Sequence, residues 1–247
     1  MTDARTASAR TLLADLTTLR VGGPAERLLA PETPDDLVRT ALEVWGDGEP
    51  WLVLGGGSNL LVADEGFEGT VLRTATRGIV ELPARSRGRI RLRVEAGEDW
   101  DGLVAHTVAR GLAGMEALSG IPGATGAAPI QNIGAYGQDA SDTLVAVDFL
   151  DYLTGELLRI PAAELGLGYR TSVFKRGRQG IVTAVEFELE QTGTGPDAPS
   201  GPIRYSQLAS TLGVPAGERA TLGAVRDAVL RLRRSKGMVV DPADPDS

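Results

Sequence analysis

The run Ser119-Gly-Ile-Pro-Gly-Ala-Thr-Gly-Ala-Ala-Pro-Ile-Gln-Asn-Ile-Gly-Ala-Tyr-Gly137 decides how the rest of the chain is read. It holds Gly120, Gly123, Gly126, Gly134 and Gly137. Such a density breaks regular helix and strand, and suits places where backbone turns tightly or approaches something closely. Ile121, Ile130, Ile133 and Tyr136 lie in the same run, which does not suit a disordered linker. An ordinary surface loop is the plain alternative, but solvent gives no reason to gather so many small and apolar residues. The run is read as a loop whose backbone lies against a flat, phosphate-bearing ligand.

A second glycine cluster, Gly55-Gly-Gly-Ser-Asn59, follows the apolar run Trp51-Leu-Val-Leu54. A dinucleotide fingerprint needs G-x-G-x-x-G opening a helix, and here Leu60 takes the last glycine's place, with Leu60–Ala63 reading as a strand. No Lys-Ser/Thr pair follows, so it is not a P-loop. What remains is strand, glycine turn, strand, either a plain hairpin or a nest of free amide N–H groups. Three consecutive glycines exceed what a turn requires, which favours ligand contact.

Two polar clusters stand out. Arg170, in Tyr169-Arg170, suits two-point grip of a carboxylate and stabilisation of developing charge, against the commoner fate of a surface ion pair. Arg231, Arg233, Arg234 and Lys236 form the densest basic run, read as the solvated end of a helix or as an edge contacting diphosphate. His106 falls mid-helix and is given no role.

Composition narrows the classes. With 247 residues and 32 glycines the chain holds one large or two modest domains rich in turns. It has no cysteine and one histidine, which excludes disulfides and thiolate metal sites and argues against a histidine-built one, so no metal is expected. A net charge of −8 argues against a nucleic-acid binder but not against small anionic ligands. Neither a signal-peptide pattern nor an apolar run of about 20 residues occurs, so no membrane span is expected and the cytoplasm is the default location.

In chain order, residues 1–14 read as a polar tail and Ala25–Ala30 as a short strand. Thr33-Pro-Asp-Asp36 starts a helix with Val38, Leu42 and Trp45 as its stripe. Short strands follow at Val71–Arg73 and Ile79–Leu82. Ile90, Leu92 and Val94 alternate as a half-buried strand, and Asp99 caps a helix to Arg110. Leu144–Leu150 and Leu157–Ile160 form a hairpin, Ile181–Gln191 a long strand, and Thr192–Pro202 a flexible loop. Thr221–Arg233 is an amphipathic helix with Leu222, Val225, Val229 and Leu232 inward. Grouped strands with helices between them predict an α+β fold.

Taken together, Thr17–Ala25, Leu54-Gly-Gly-Gly-Ser-Asn-Leu-Leu-Val62, Ser119–Gly137 and Gly168-Tyr-Arg-Thr-Ser-Val-Phe-Lys175 resemble the UDP-N-acetylenolpyruvoylglucosamine reductase family, in family order over nearly the whole chain. The resemblance implies a two-lobed FAD-binding fold of the vanillyl-alcohol-oxidase type, with lobes at 15–75 and 76–220 and the start of a substrate-binding domain at 221–247. It implies non-covalent FAD held by Gly55, Gly56, Gly57, Ser58 and Asn59, and by Ser119, Gly120, Ile121, Pro122, Gly123 and Gly126, with Ile181 a further flavin contact. NADPH reduces the flavin and leaves, and UDP-N-acetylglucosamine enolpyruvate then accepts hydride from flavin N5. Arg170 stabilises the charge developing on the substrate carboxylate. Tyr169, Tyr205 and Lys236 are the implied substrate contacts, and the protein is expected to be a monomer.

One departure accompanies the match. The family's proton-donating serine lies in a Gly-Ser-Phe-Phe type motif after the basic run, assisted by a later glutamate. The sequence ends at Asp241–Ser247 before either, and Ser247 is not given the role. The expectation is a fragment, or a truncated product that binds FAD with poor turnover. Another oxidoreductase of the same fold and a non-catalytic flavin-binding protein are the alternatives.

Overall fold

The computed structural model describes residues 11–240. The first lobe is built on β1 (Ala25–Leu29), α1 (Pro34–Gly46), β2 (Trp51–Leu54) and β3 (Phe67–Arg73). Thr33 caps α1 by accepting the Asp36 amide at 3.2 Å, and Pro34 needs no amide partner there. The three strands form a parallel sheet in the order β1-β3-β2, with Val71 of β3 opposite both Leu28 and Leu52. Parallel strands covered on both faces are apolar throughout, which is why β2 reads as an unbroken apolar run.

Three expectations are corrected in this lobe. The α1 stripe is Leu37, Ala41 and Val44, one position before the predicted one, while Leu42 is exposed. Both stripes share the same spacing; the small Ala41 lets the helix lie close on the sheet, and Val38 and Trp45 only flank the contact. Leu60–Ala63 is not a strand, and β2 pairs instead with β3 at the end of the sheet. That segment runs beside Gly22 and Gly23, where the Gly23 amide donates to Ala63 O at 2.8 Å. Residues 11–14, expected in the tail, are built into the lobe: Leu12 bridges Pro24 and Leu13 is fully buried with Ala25, Leu28, Leu54 and Val71. Residues 1–10 of the expected tail and 241–247 lie outside the described residues.

The second lobe contains β4 (Ile79–Leu82), β5 (Arg89–Glu95), α2 (Trp100–Ala109), β6 (Leu112–Ala113), β7 (Gly134–Ala135), β8 (Gln138–Asp139), β9 (Leu144–Asp151), β10 (Leu157–Pro161) and β11 (Gly180–Gln191). Its antiparallel sheet has the order β10-β9-β11-β5-β4, with β6 also on β11, while β7 and β8 form a separate two-stranded ribbon. One sheet face packs on α2, where Leu92, Val94, Phe187 and Trp100 are buried and the last two rings meet edge-on at 5.9 Å. The other face carries charge, as alternation along β5 requires. There Glu186 is bonded by Arg159 at 2.9 and 2.7 Å and by Arg91. Arg159 foremost, opposed by burial and joined by Arg91, holds the Glu186 carboxyl down at about 2. Leu150 and Ile181 join the core under α1, so the two lobes share apolar contact.

Helices α3 (Ser206–Leu212) and α4 (Leu222–Arg234) complete the described fold. Thr221 caps α4, whose Val225, Ala228 and Val229 pack with Leu208, Ile203 and Ala117. The predicted flexible loop at Thr192–Pro202 is instead pinned: Ala198 and Ser200 are buried, and the Leu222, Gly223 and Gln191-adjacent Thr192 amides bond Ala198 O, Pro196 O and Gly111 O. Gly193 is packed tightly against Ala198, whereas Gly195 supplies a left-handed turn at φ +73° with open space around it. Among the described residues, no helix is long and apolar enough to cross a membrane, and no cluster of metal-ligating side chains occurs.

Candidate functional site

A cavity of about 320 Å³ lies between the lobes where β2 delivers its glycine loop. Gly55, Gly56, Gly57, Ser58 and Asn59 line one side, Pro122, Gly123 and Gly126 the other, and Ile181 of β11 the end. A loop at the carboxyl end of a parallel strand is where open sheets commonly bind ligands. The two glycine loops touch backbone to backbone: a Cβ on Gly56 would stand 2.6 Å from Gly123 Cα. Gly57 has φ +65°, and a side chain there would strike Leu16 O. Asn59 Nδ2 donates to Gln131 Oε1 at 3.3 Å, joining the loops a second time.

The chemistry of this lining is consistent. Among the described residues, the amide N–H groups of Gly55, Gly56, Gly57, Ser58 and Asn59 donate to no protein acceptor. Consecutive free amides form a nest with positive potential suited to phosphate oxygens. No lining side chain is ionisable, so an anion meets no carboxylate, and none is a histidine or cysteine that would attach a flavin covalently. Trp100, Ile130, Ile133 and Val182 supply apolar walls. A second opening of about 690 Å³ adjoins it through Val53, Ile130 and Gly180, with Trp51, Tyr152, Phe174 and Arg178 in its lining.

Three of the expected cofactor residues sit behind this wall. Ser119 is fully buried and its hydroxyl donates to Glu116 O at 2.7 Å. The Gly120 amide donates to Asp101 Oδ1 at 2.6 Å, and Ile121 packs against the second-lobe core. Thr74, Ala124, Ala127, Ala128 and Gln131 line the cavity without having been singled out. The three alanines are small residues within the glycine-rich run, which names no position by itself, and Thr74, just past β3, carries no local signal.

The expected substrate residues gather farther along the 119–137 loop. Arg170 has φ +52°; its Nη1 donates to Asn132 O at 3.1 Å and its Nη2 to Gly134 O. The guanidinium lies 5.6 Å from the ring of Tyr169, which is 89% exposed. Tyr205 meets the Tyr136 ring edge-on at 5.5 Å. Lys236 Nζ lies 5.7 Å from the same ring and donates to Gln207 Oε1 at 3.1 Å. Tyr136, read only as an apolar loop residue, is thus the side chain that joins Tyr205 to Lys236. Asn132 and Tyr136, like Arg170, hold left-handed backbone, at φ +47° and +49°. Left-handed non-glycine residues cost energy and concentrate at functional sites. Within the basic run, Arg233 departs from a solvated face, being 6% exposed and turned inward.

Residues 25–161 match the FAD binding domain family. A crystal structure of UDP-N-acetylenolpyruvylglucosamine reductase from Thermus caldophilus is 33% identical, with a TM-score of 0.66 over 94% of this chain and 70% of that one. The chain belongs to the UDP-N-acetylenolpyruvoylglucosamine reductase family. The reductase of Leifsonia xyli subsp. xyli is 61% identical over 239 residues, covering 95% of this chain and 63% of that protein. The reductase of Thermobifida fusca is 51% identical over 235 residues, with 95% and 64% covered. The chain therefore spans less than two thirds of the length of these curated relatives. An alkyldihydroxyacetonephosphate synthase structure at 14% identity shares the fold, with a TM-score of 0.53 over 73% of this chain. The two-lobed α+β architecture is that of the FAD-binding fold of the vanillyl-alcohol-oxidase type.

Proposed function

We propose that this chain forms the FAD-holding part of an enzyme that uses NADPH to reduce UDP-N-acetylglucosamine enolpyruvate to UDP-N-acetylmuramate, a step of peptidoglycan precursor synthesis. The observation that carries the reading is the set of free amides at Gly55–Asn59, in a loop that meets Gly123 backbone to backbone and lines a cavity without charged side chains. These amides suit a pyrophosphate, and the apolar lining with its aromatic neighbour opening suits the flat ends of a dinucleotide. FAD supplies hydride transfer through its N5 when bound.

The chain's own residues then take these roles. Gly55–Asn59 hold the diphosphate, and Gly123 and Gly126 contact the cofactor from the neighbouring loop, which packs closely because a Cβ on either would crowd Ser58 or Ala96. Arg170, its fork fixed on two carbonyls of the loop, stabilises charge developing on the substrate carboxylate. Tyr205, Lys236 and Tyr169 contact the substrate, with Tyr136 holding the first two together. We assign no proton donor among them. Residues from 221 onward begin the substrate-binding domain in this reading, and a monomer in the cytoplasm, without nucleic-acid partners, goes with it.

The test is rapid mixing of the protein at the full length of its relatives, without oxygen. NADPH is expected to bleach the bound flavin, and UDP-N-acetylglucosamine enolpyruvate to restore its colour. A flavin bleached by NADPH but not recoloured by that substrate contradicts the assigned reaction.

A further inference from the structure

Gly120 is gripped from both sides by charged side chains that none of the roles above uses. Its N–H donates to Asp101 Oδ1 at 2.6 Å, and its C=O accepts Arg233 Nε at 3.0 Å. Asp101, in the first turn of α2, is itself held in two-point geometry by Arg226 of α4, at 2.6 and 2.7 Å. Two-point guanidinium–carboxylate pairs are the most directional ionic contacts available to side chains. Burial pushes the Asp101 carboxyl up, but the Arg226 guanidinium and the Gly120 amide outweigh it and hold it below the usual range.

The grip leads two ways. Three residues on, Gly123 O accepts the Trp100 amide at 3.1 Å, and the Gly123 backbone lies against Gly56 at the cavity. In the other direction, Arg233 Nη2 donates to Met238 O at 2.9 Å, and the Met238 and Lys236 amides return to Arg233 O at 2.9 and 3.0 Å. One buried guanidinium therefore ties the cofactor loop to the turn that carries Lys236. Gly120 has φ +70°, and a Cβ there would stand 2.8 Å from Leu230 Cδ2, so α4 lies directly on this peptide.

We propose that Asp101, Arg226 and Arg233 are positioning residues that lock the 119–123 segment to α4, so that docking of α4 sets the cofactor loop and the Lys236 turn together. This rests on the FAD reading of the cavity. A charge run on a helix is ordinarily a solvated face; here one member is buried on a loop carbonyl that has no other reason to attract it.

The test compares Arg233→Met, Asp101→Asn and the packing control Val229→Ala, whose side chain is buried one turn from both arginines but, being apolar, takes no part in the hydrogen bonds of the clamp. FAD affinity is read by flavin fluorescence quenching, the shape of the site by visible circular dichroism of bound flavin, and apoprotein stability by thermal unfolding. The first two variants are expected to weaken FAD binding by about tenfold or more and to change the flavin dichroism, as loss of a hydrogen bond to a charged group implies. Val229→Ala is expected to lower thermal stability and leave affinity within about twofold, since cavity formation acts on folding. Wild-type affinity and dichroism in Arg233→Met, or an equal loss in Val229→Ala, overturns the clamp. Should Arg233→Met fail to fold, Arg226→Lys decides, because it keeps the charge but not the two-point grip. A fall of about threefold or more then supports the clamp, and a smaller one overturns it. If the unsubstituted protein takes up no FAD, the reading of the cavity fails before any variant is made.

Discussion

Gly56→Ala is expected to cut FAD affinity by about tenfold to a hundredfold while leaving most of the fold intact. The added methyl group would stand 2.6 Å from Gly123 Cα, 2.7 Å from Gly123 C and 2.8 Å from Ala124 N. All three are backbone atoms, so no flexible side chain can swing aside. One loop must move away from the other, and overpacking of this kind typically costs about 1–3 kcal/mol. The movement shifts the amides of Gly55–Asn59 relative to the Gly123–Gly126 segment, and both belong to the wall assigned to the cofactor. Gly55→Ala is the internal comparison: its Cβ would meet Ala124 Cβ and Ala127 Cβ at 3.6 Å, an ordinary contact. Equilibrium titration with FAD separates them. Equal affinity of Gly56→Ala and the unsubstituted protein would show that the contact between the loops does not shape the site.

The second large effect falls on one half of the reaction. In the protein at its relatives' full length, Arg170→Lys is expected to slow reoxidation of reduced flavin by the enolpyruvyl substrate by about a hundredfold to a thousandfold. Flavin reduction by NADPH is expected to change far less. The Arg170 guanidinium spans the carbonyls of Asn132 and Gly134, and this fixes the plane it presents. A lysine ammonium has no planar fork, so it satisfies one carbonyl or the substrate, not the three-way arrangement. Its unbranched side chain also keeps the left-handed backbone at φ +52° no worse off than arginine does. Single-turnover kinetics of the two half-reactions read the difference. Equal slowing of both removes Arg170 from its assigned role.

Local chemistry made much of the fold legible. Thr33-Pro-Asp-Asp36 announces the start of α1, and Asp99 accepts the Gly102 amide at 2.6 Å as the cap of α2. Alternation in Ile90, Leu92 and Val94 marks β5, and the apolar run 51–54 marks β2. What stayed hidden depends on partners distant in sequence. Leu60–Ala63 has strand composition, but the segment is held beside Gly22 and Gly23, where Ala63 O accepts the Gly23 amide, and not along the edge of β2 that β3 leaves open. The α1 stripe is displaced by one position because two apolar stripes of equal spacing exist, and the sheet chooses the one with the small Ala41.

The site divides in the same way. Both glycine loops announce themselves, because a glycine run has few other uses. Which of their residues face the cavity does not follow from the run: Ser119 and Gly120 spend their polar groups on Glu116 and Asp101 instead. Tyr136 escaped notice because its significance lies in joining Tyr205 and Lys236, each about 70 or more residues away. Arg233 sits in a charge run that local reading places in solvent, and only the fold supplies the Gly120 and Met238 carbonyls that make its burial favourable.

The central claim is that the loops at Gly55–Asn59 and Pro122–Gly126 form one cofactor site. Titration of the purified chain with FAD, followed by calorimetry and by the absorption spectrum of the gel-filtered protein, tests it most directly. The account predicts a yellow protein retaining one FAD per chain, with uptake lost or greatly weakened in Gly56→Ala. A folded chain that emerges colourless and takes up no FAD at any concentration tried would contradict it.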